Sequence, residues 1–112
     1  MIRIKRIYDP PAPEDGRRVL VDRLWPRGLA KEAARIDEWL KEIAPSDALR
    51  KWFGHDPARW EEFRRRYREE LQDQGDPQEL LRAEAEKGTV TLLFAAKDTA
   101  HNNAVVLKEL LT

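Results

Sequence analysis

The chain has 112 residues, which is the size of a single domain. Its 21 basic and 21 acidic residues give zero formal net charge, which argues against indiscriminate binding to nucleic acid or membrane surfaces. Hydrophobic residues make up 41% of the chain, which is enough for one core and too much for a disordered protein. Because there is no cysteine, the sequence excludes disulfides, thiolate catalysis and cysteine-based metal sites.

No apolar run approaches the roughly 20 residues that a membrane span needs. The first residues, MIRIKRIYDPP, lack the apolar centre of a secretory signal. We therefore expect a single cytoplasmic domain over residues 1–112 that does not contact membranes.

Three segments predict β-strands. Ile2–Tyr8 alternates in part between apolar and basic residues, and Arg18–Trp25 is β-branched and apolar. Thr89–Ala96 is apolar on both faces, as expected for a strand covered by helices. Between the first two strands, the proline-rich segment Asp9–Arg17 predicts a loop.

Five segments predict helices. Lys31–Ile43 carries apolar residues at helical spacing, and a short helix follows the N-cap Ser46 and ends at Gly54. The other three helices are predicted at Pro57–Gln72, from Asp76–Pro77 to Gly88, and at Ala104–Leu111. The predicted order is β-β-α-α-α-α-β-α. It indicates a single small α/β domain with a partly parallel sheet and helices packed on it.

Two polar segments lie at the carboxyl ends of the second and third predicted strands. In sheets of this kind, ligands bind beyond the carboxyl ends of the strands. The first segment, Asp22–Gly28, contains an acid and two arginines. Arg23 and Arg27 are suited to clamp a phosphate or carboxylate, with Gly28 in the same turn, and Asp22 can orient an arginine or accept a proton. A structural salt bridge beside a surface arginine is the alternative interpretation.

The second polar segment is Lys97–Asn103, which leads from a strand into a helix. Here Lys97 could assist anion binding, Asp98 could bind ligand or cap the helix, and His101 is the natural group for proton transfer. Asn102 and Asn103 are each a candidate ligand contact or a structural residue. A third candidate, His55, could approach the strand ends or simply separate two helices. We expect no metal and no cofactor, because the two histidines lack metal-binding spacing.

Two surfaces suggest other functions. The Arg64–Arg66 run could contact nucleic acid, but interleaved glutamates predict a salt-bridged, solvated helix face instead. Trp39 or Trp60, if exposed on a flat apolar patch, would favour a protein-interaction module or a homodimer.

Five ordered motifs are spread along the chain, RVLVDRLWPRGL, IDEWLKEIAPS, LRKWFGHDP, RWEEFRRRYREEL and TLLFAAKDTAHNNAVVL. Together they resemble the YeaO-like branch of the domain-of-unknown-function family 488. The resemblance implies a compact α/β domain and supplies no established activity. It also implies a set of shared residues, here Asp22, Arg23, Trp25 to Gly28, Lys97, Asp98, His101 and Asn102. Two positions depart from the family pattern, Ala30 and Asn103.

The leading hypothesis is an anion-binding pocket at the strand ends, for a phosphate-bearing small molecule, a carboxylate or a nucleotide. Its candidate acid–base residues are Asp22, His101 and His55. Its candidate ligand-binding residues are Arg23, Arg27, Gly28, Lys97, Asp98 and Asn102. Whether catalysis takes place is left open. A non-catalytic interaction module or homodimer is the alternative, and association with nucleic acid through the basic N-terminal third, residues 1–36, is a further one.

Overall fold

A computed structural model describes all 112 residues of the chain. Its four strands are β1 (Ile2–Arg6), β2 (Arg17–Leu20), β3 (Glu38–Trp39) and β4 (Val90–Phe94). Its five helices are α1 (Lys31–Ala34), α2 (Asp47–Phe53), α3 (Trp60–Leu71), α4 (Gly75–Lys87) and α5 (Asn103–Leu111). Short 3-10 turns lie at Pro13–Asp15, Lys41–Ile43 and Pro57–Arg59. None of the helices combines the length and the apolarity that a membrane crossing needs.

The strands form one sheet in the order β1-β4-β2-β3, and every neighbouring pair is parallel. All five residues of β4 are buried, which explains why both faces of this segment are apolar. The α/β class is confirmed, and the whole sheet rather than part of it is parallel. Because the strands are parallel, their carboxyl ends share one side of the sheet, which we call the carboxyl edge.

The core lies on both faces of the sheet. Leu92 and Phe94 of β4 belong to a cluster of 18 buried residues that also contains residues of α2, α3, α4 and α5. Leu93, between them, belongs to a second cluster of four residues that includes Ala34 of α1. This alternation is the two-residue period of a strand, so it places four helices on one face and α1 on the other.

The single helix predicted over Lys31–Ile43 is wrong. Helix α1 ends after about one turn, because Arg35 adopts the left-handed conformation with φ of 48°. The chain then extends as β3 along β2, where the N–H of Asp37 donates to the carbonyl of Arg18 at 2.8 Å. Pairing with the open edge of β2 therefore outweighs the helical pattern of this segment.

The misleading apolar spacing has a structural explanation. Ile36 and Trp39 pack against the smaller cluster, whereas Leu40 and Ile43 belong to the larger one. The same four residues therefore serve two faces of the sheet rather than one face of a helix. The other helices agree with their predicted positions, and the hydroxyl of Ser46 accepts from the N–H of Leu49 as the expected cap.

A buried ion cluster that sequence analysis did not predict holds the loop before β2. Asp15 is 2% exposed and Arg18 is 5% exposed. The carboxylate of Asp15 pairs with Arg18 at 2.5 Å and with Lys5 at 3.1 Å. Arg18 also donates to the carbonyls of Ala34 and Arg35, at 2.8 and 3.1 Å. The cluster thus joins the loop, β1, β2 and the end of α1.

Candidate functional site

A pocket of about 640 Å³ opens at the carboxyl edge of the sheet. It is lined by residues that follow β1, β2 and β4 along the chain, and by residues of α2, α3 and α5. The volume lies within the ~300–1,000 Å³ of small-molecule sites, and the position is the one where parallel sheets bind ligands.

The two polar segments predicted from the sequence meet in this pocket. The Nδ2 of Asn103 donates to Oδ1 of Asp22 at 3.0 Å and to the carbonyl of Val21 at 2.9 Å. The N–H of Ala95 donates to Oδ2 of Asp22 at 2.9 Å. Asp22 therefore connects the end of β2 to the end of β4 and to the start of α5.

Burial is the main influence on the Asp22 carboxyl, and it raises the pKa of this group. The pKa of Asp22 is lowered by the hydrogen bonds from Ala95 and Asn103 and by the nearby His55. Because these effects together are smaller than the effect of burial, the pKa stays above its ordinary value. Asp22 consequently takes up a proton more readily than an exposed aspartate does.

Arg23 is fixed in the pocket wall. Its Nε donates to the carbonyl of Pro45 at 3.1 Å, and its Nη2 donates to the carbonyl of Ala44 at 3.2 Å. It also lines the pocket. Because backbone carbonyls leave its positive charge uncompensated, Arg23 is suited to a charge-stabilising role rather than to a mobile clamp.

Arg27 and Lys97 are exposed and also line the pocket. Neither makes a salt bridge or a side-chain hydrogen bond within the chain. The backbone at Arg27 is nevertheless anchored, since the hydroxyl of Tyr8 donates to its carbonyl at 2.8 Å. Arg50 of α2 adds a fourth basic residue, and it lies 3.6 Å from the carboxylate of Asp47.

His55 lines the pocket, whereas His101 does not. His55 is exposed and left-handed, with φ of 57°, directly after the left-handed Gly54 that ends α2. His101 places Nδ1 at 2.9 Å from a carboxylate oxygen of Asp98 and packs edge-on against the ring of Trp60. Of the three candidate acid–base residues, the structure therefore brings Asp22 and His55 into the pocket together.

Asp98 and Asn102 line the pocket but have structural partners. The N–H of Ala100 and the side chain of His101 are the main causes that lower the pKa of Asp98 below its ordinary value. Asn102 is 2% exposed and caps α5, because its Oδ1 accepts from the N–H of Val105 at 3.1 Å. Gly28 does not line the pocket; with φ of 76°, it forms the turn after Arg27. Nowhere do three His, Asp or Glu side chains gather as metal ligands.

Comparison of the sequence with known protein families identifies the family of this chain. A family model described as the inactive DUF488-N3 subclade matches residues 1–112. The chain belongs to this family. The family resemblance seen in the sequence is therefore confirmed.

Two curated relatives are similar to this chain over nearly its whole length. The uncharacterized protein Rv3073c of Mycobacterium tuberculosis (strain H37Rv) is 44% identical over 110 residues, covering 98% of this chain and 92% of its own length. The uncharacterized protein YeaO of Escherichia coli K12 is 46% identical over 108 residues, covering 96% and 94%. No solved structure matches the chain.

Sequence reasoning missed several pocket residues of this DUF488-N3 chain. Tyr8 is the last residue of the first predicted strand, so the rule about carboxyl ends would have included it if applied to all strands. The sequence suggested Asn103 as a structural residue or a ligand contact but did not predict its hydrogen bond to Asp22. The residues from helices, Arg50, Phe53 and Phe63, carry no local signal, because only the packing of α2 and α3 on the sheet brings them to this edge.

The surfaces that suggested other functions are largely engaged within the chain. On α3, the arginines pair with glutamates of the same helix, as in Arg64–Glu61, Arg65–Glu62, Arg65–Glu69 and Arg66–Glu62. All four tryptophans are half-buried. Trp39 packs edge-on against Trp25 with centroids 5.3 Å apart, and Trp60 stacks on Phe63 at 5.8 Å.

Proposed function

We propose that this protein binds a small phosphate- or carboxylate-bearing molecule in the pocket at the carboxyl edge. The observation that carries the proposal is the pair Arg27 and Lys97. Both are exposed, both line the pocket, and neither is neutralised by an acidic side chain. An anionic ligand would supply the missing partner.

The distribution of charge supports the same proposal. Arg23, Arg27, Arg50 and Lys97 line the pocket together with only two acidic residues, Asp22 and Asp98. The chain as a whole has no net charge, so the positive potential is local. A concave site lined by one sign of charge raises the local concentration of ligands of the opposite sign.

The pocket is better suited to binding than to turnover. Asp22 and His55 remain the candidate acid–base residues within it, but Asp22 is held by two hydrogen bonds and His101 lies outside. The description of the family as inactive also favours a binding role. The proposed location is the cytoplasm, and it rests on the sequence alone.

The alternatives have weaker support. An interaction module or a homodimer built on the tryptophans would need Trp39 or Trp60 exposed, and both are half-buried against other aromatic rings. Nucleic-acid binding by the arginine run on α3 would have to displace its salt bridges to glutamate.

A thermal-shift panel tests the proposal. Inorganic phosphate, sugar phosphates, small carboxylates, nucleotides and short oligonucleotides are each added at low salt to the wild-type protein. A ligand that binds only the folded state stabilises it by about 2.7 kcal/mol at a hundredfold excess over Kd. We expect a shift for at least one phosphate or carboxylate compound.

The double variant Arg27→Ala/Lys97→Ala should abolish that shift. Lys87→Ala is the matched control, because Lys87 is also exposed but ends α4 just before β4, at the opposite side of the sheet. The control should retain the full shift. If no anion stabilises the wild type, or if the double variant responds like the control, the proposal is wrong.

A further inference from the structure

The pocket has more apolar wall than a lone anion would use. Phe53 and Phe63 line it with ring centroids 4.3 Å apart in a stacked arrangement, and Leu24 lines it while 57% exposed. Its volume of about 640 Å³ is that of a site for a larger organic molecule. The ligand therefore includes an apolar or flat portion beside its anionic group.

Two half-buried side chains of the pocket, Asp22 and Asn103, present hydrogen-bond acceptors to a ligand. A primary amide has two N–H donors, and Asn103 uses both of them, on Val21 and on Asp22. Asn103 can therefore offer the pocket only its carbonyl oxygen. An ionised Asp22 accepts one hydrogen bond at each oxygen and retains further acceptor capacity at both.

Charge divides the pocket into two parts. Asp22 is half-buried and repels an anion, whereas Arg27 and Lys97 are exposed and attract one. Arg23 is also half-buried, but its Nε and Nη2 are already engaged by the carbonyls of Pro45 and Ala44. A bound molecule is consequently oriented with its anionic group outward and its hydrogen-bond donors inward. The apolar walls hold the part between them.

We infer that the ligand is a phosphate monoester carrying a flat ring with N–H donors, as in a nucleoside monophosphate, and that Asp22 and Asn103 select that ring. This inference rests on the proposed anion site and adds to it the chemistry of the other end of the ligand. Two adjacent N–H donors, such as those on the edge of guanine, match the two oxygens of Asp22 best.

Titration calorimetry with three probes tests the inference on the wild-type protein. Guanosine monophosphate carries two adjacent donors on its base, inosine monophosphate lacks the amino group, and ribose 5-phosphate lacks the ring. We expect guanosine monophosphate to bind at least tenfold more tightly than ribose 5-phosphate, with inosine monophosphate between them.

Two variants separate the two ends of the ligand. Asp22→Asn should reduce the ratio of the guanosine monophosphate affinity to the ribose 5-phosphate affinity several-fold, and the remaining preference is the part that the apolar walls supply. Arg27→Ala should weaken both ligands by a similar factor and leave the ratio unchanged. If Asp22→Asn fails to fold, the affinities of the three probes for the wild-type protein still test the inference.

The outcomes distinguish this inference from the proposed function. Equal affinity for guanosine monophosphate and ribose 5-phosphate overturns the ring selection while the anion site stands. A preference that is undiminished in a folded Asp22→Asn variant overturns the role of Asp22. If none of the three probes binds, the ring selection is overturned, and phosphate stabilisation in the thermal-shift panel decides separately on the anion site.

Discussion

Asn103, the first residue of α5, donates a hydrogen bond of 3.0 Å to Asp22, which follows β2 and lies 81 positions earlier in the chain. The same amide nitrogen donates to the carbonyl of Val21. Since both of its N–H groups are used, the orientation of the Asn103 amide is fixed. The contact therefore holds the two polar segments of the pocket together and determines which atoms they present to a ligand.

Replacing Asn103 by alanine should destabilise the protein by about 1–3 kcal/mol, because it leaves Asp22 and the carbonyl of Val21 without their donor. Urea denaturation of the wild type and of Asn103→Ala measures the difference. Gln72→Ala is the control, since Gln72 is exposed at the end of α3. If Asn103→Ala lowers the free energy of unfolding by no more than Gln72→Ala does, Asn103 does not stabilise the fold through these hydrogen bonds.

Asp15 should be among the most sensitive residues of the fold. Asp15→Ala removes the carboxylate that compensates buried Arg18, and breaking a buried ion pair in this way costs about 3–5 kcal/mol. Glu79→Ala breaks the exposed pair with Arg82 and should cost less than about 1 kcal/mol. Chemical denaturation of both variants measures the two costs, and similar values would refute the structural role of the buried cluster.

The contribution of Asp15 to the free energy of unfolding should depend on pH. Burial raises the pKa of Asp15, but hydrogen bonds from Ala12, Lys5 and Arg18 together outweigh burial and hold the pKa below 3.8. Folding therefore favours the ionised form. The resulting stability is present above the unfolded pKa of 3.8 and is lost as pH falls through the lower pKa of the folded state.

The free energies of unfolding of the wild type and Asp15→Asn, measured from pH 7 down to about pH 2, test this dependence. The difference between the two proteins should be constant at neutral pH and should shrink below pH 3.8. A difference that stays constant or grows with acidification would show that ionisation of Asp15 does not stabilise the fold.

Gly16 and Gly28 allow backbone strain to be separated from steric overlap. Both have positive φ, 62° and 76°, but a Cβ at Gly16 would lie 2.2 Å from the carbonyl oxygen of Thr89, whereas a Cβ at Gly28 meets nothing. Gly28→Ala should therefore lower the free energy of unfolding by about 1–2 kcal/mol, and Gly16→Ala should lower it by more. Thermal or urea unfolding measures both losses, and equal losses would contradict the close approach of Gly16 to Thr89.

Much of the fold follows from local signals in the sequence. The apolar segment at β4, the cap at Ser46 and the stop at Gly54 are local features, and the structure retains all three. The extended segment at β3 was not predictable, because its stability comes from pairing with β2 and not from its own residues. The apolar spacing from Ile36 to Ile43 suits a helix and a sheet edge equally well.

The candidate site was predictable where it depends on strand order. Asp22, Arg23, Arg27 and Lys97 follow β2 and β4, and a parallel sheet brings such residues to one edge. The position of His101 was not predictable, since its contacts with Asp98 and Trp60 depend on how α3 packs beside the loop before α5. The order of the strands thus places most of the basic residues of the pocket, whereas the packing of the helices places its aromatic walls.

Chemical-shift mapping is the sharpest test of anion binding at the carboxyl edge. Phenyl phosphate is titrated into ¹⁵N-labelled protein, because it combines a phosphate with an apolar ring. We predict saturable shifts concentrated at Tyr8, at Asp22 to Arg27 and at Ala95 to Asp98, with the amides around Lys87 unchanged. If no saturable shifts appear, or if the shifts are confined to residues outside the pocket, the protein does not bind this anion at the carboxyl edge.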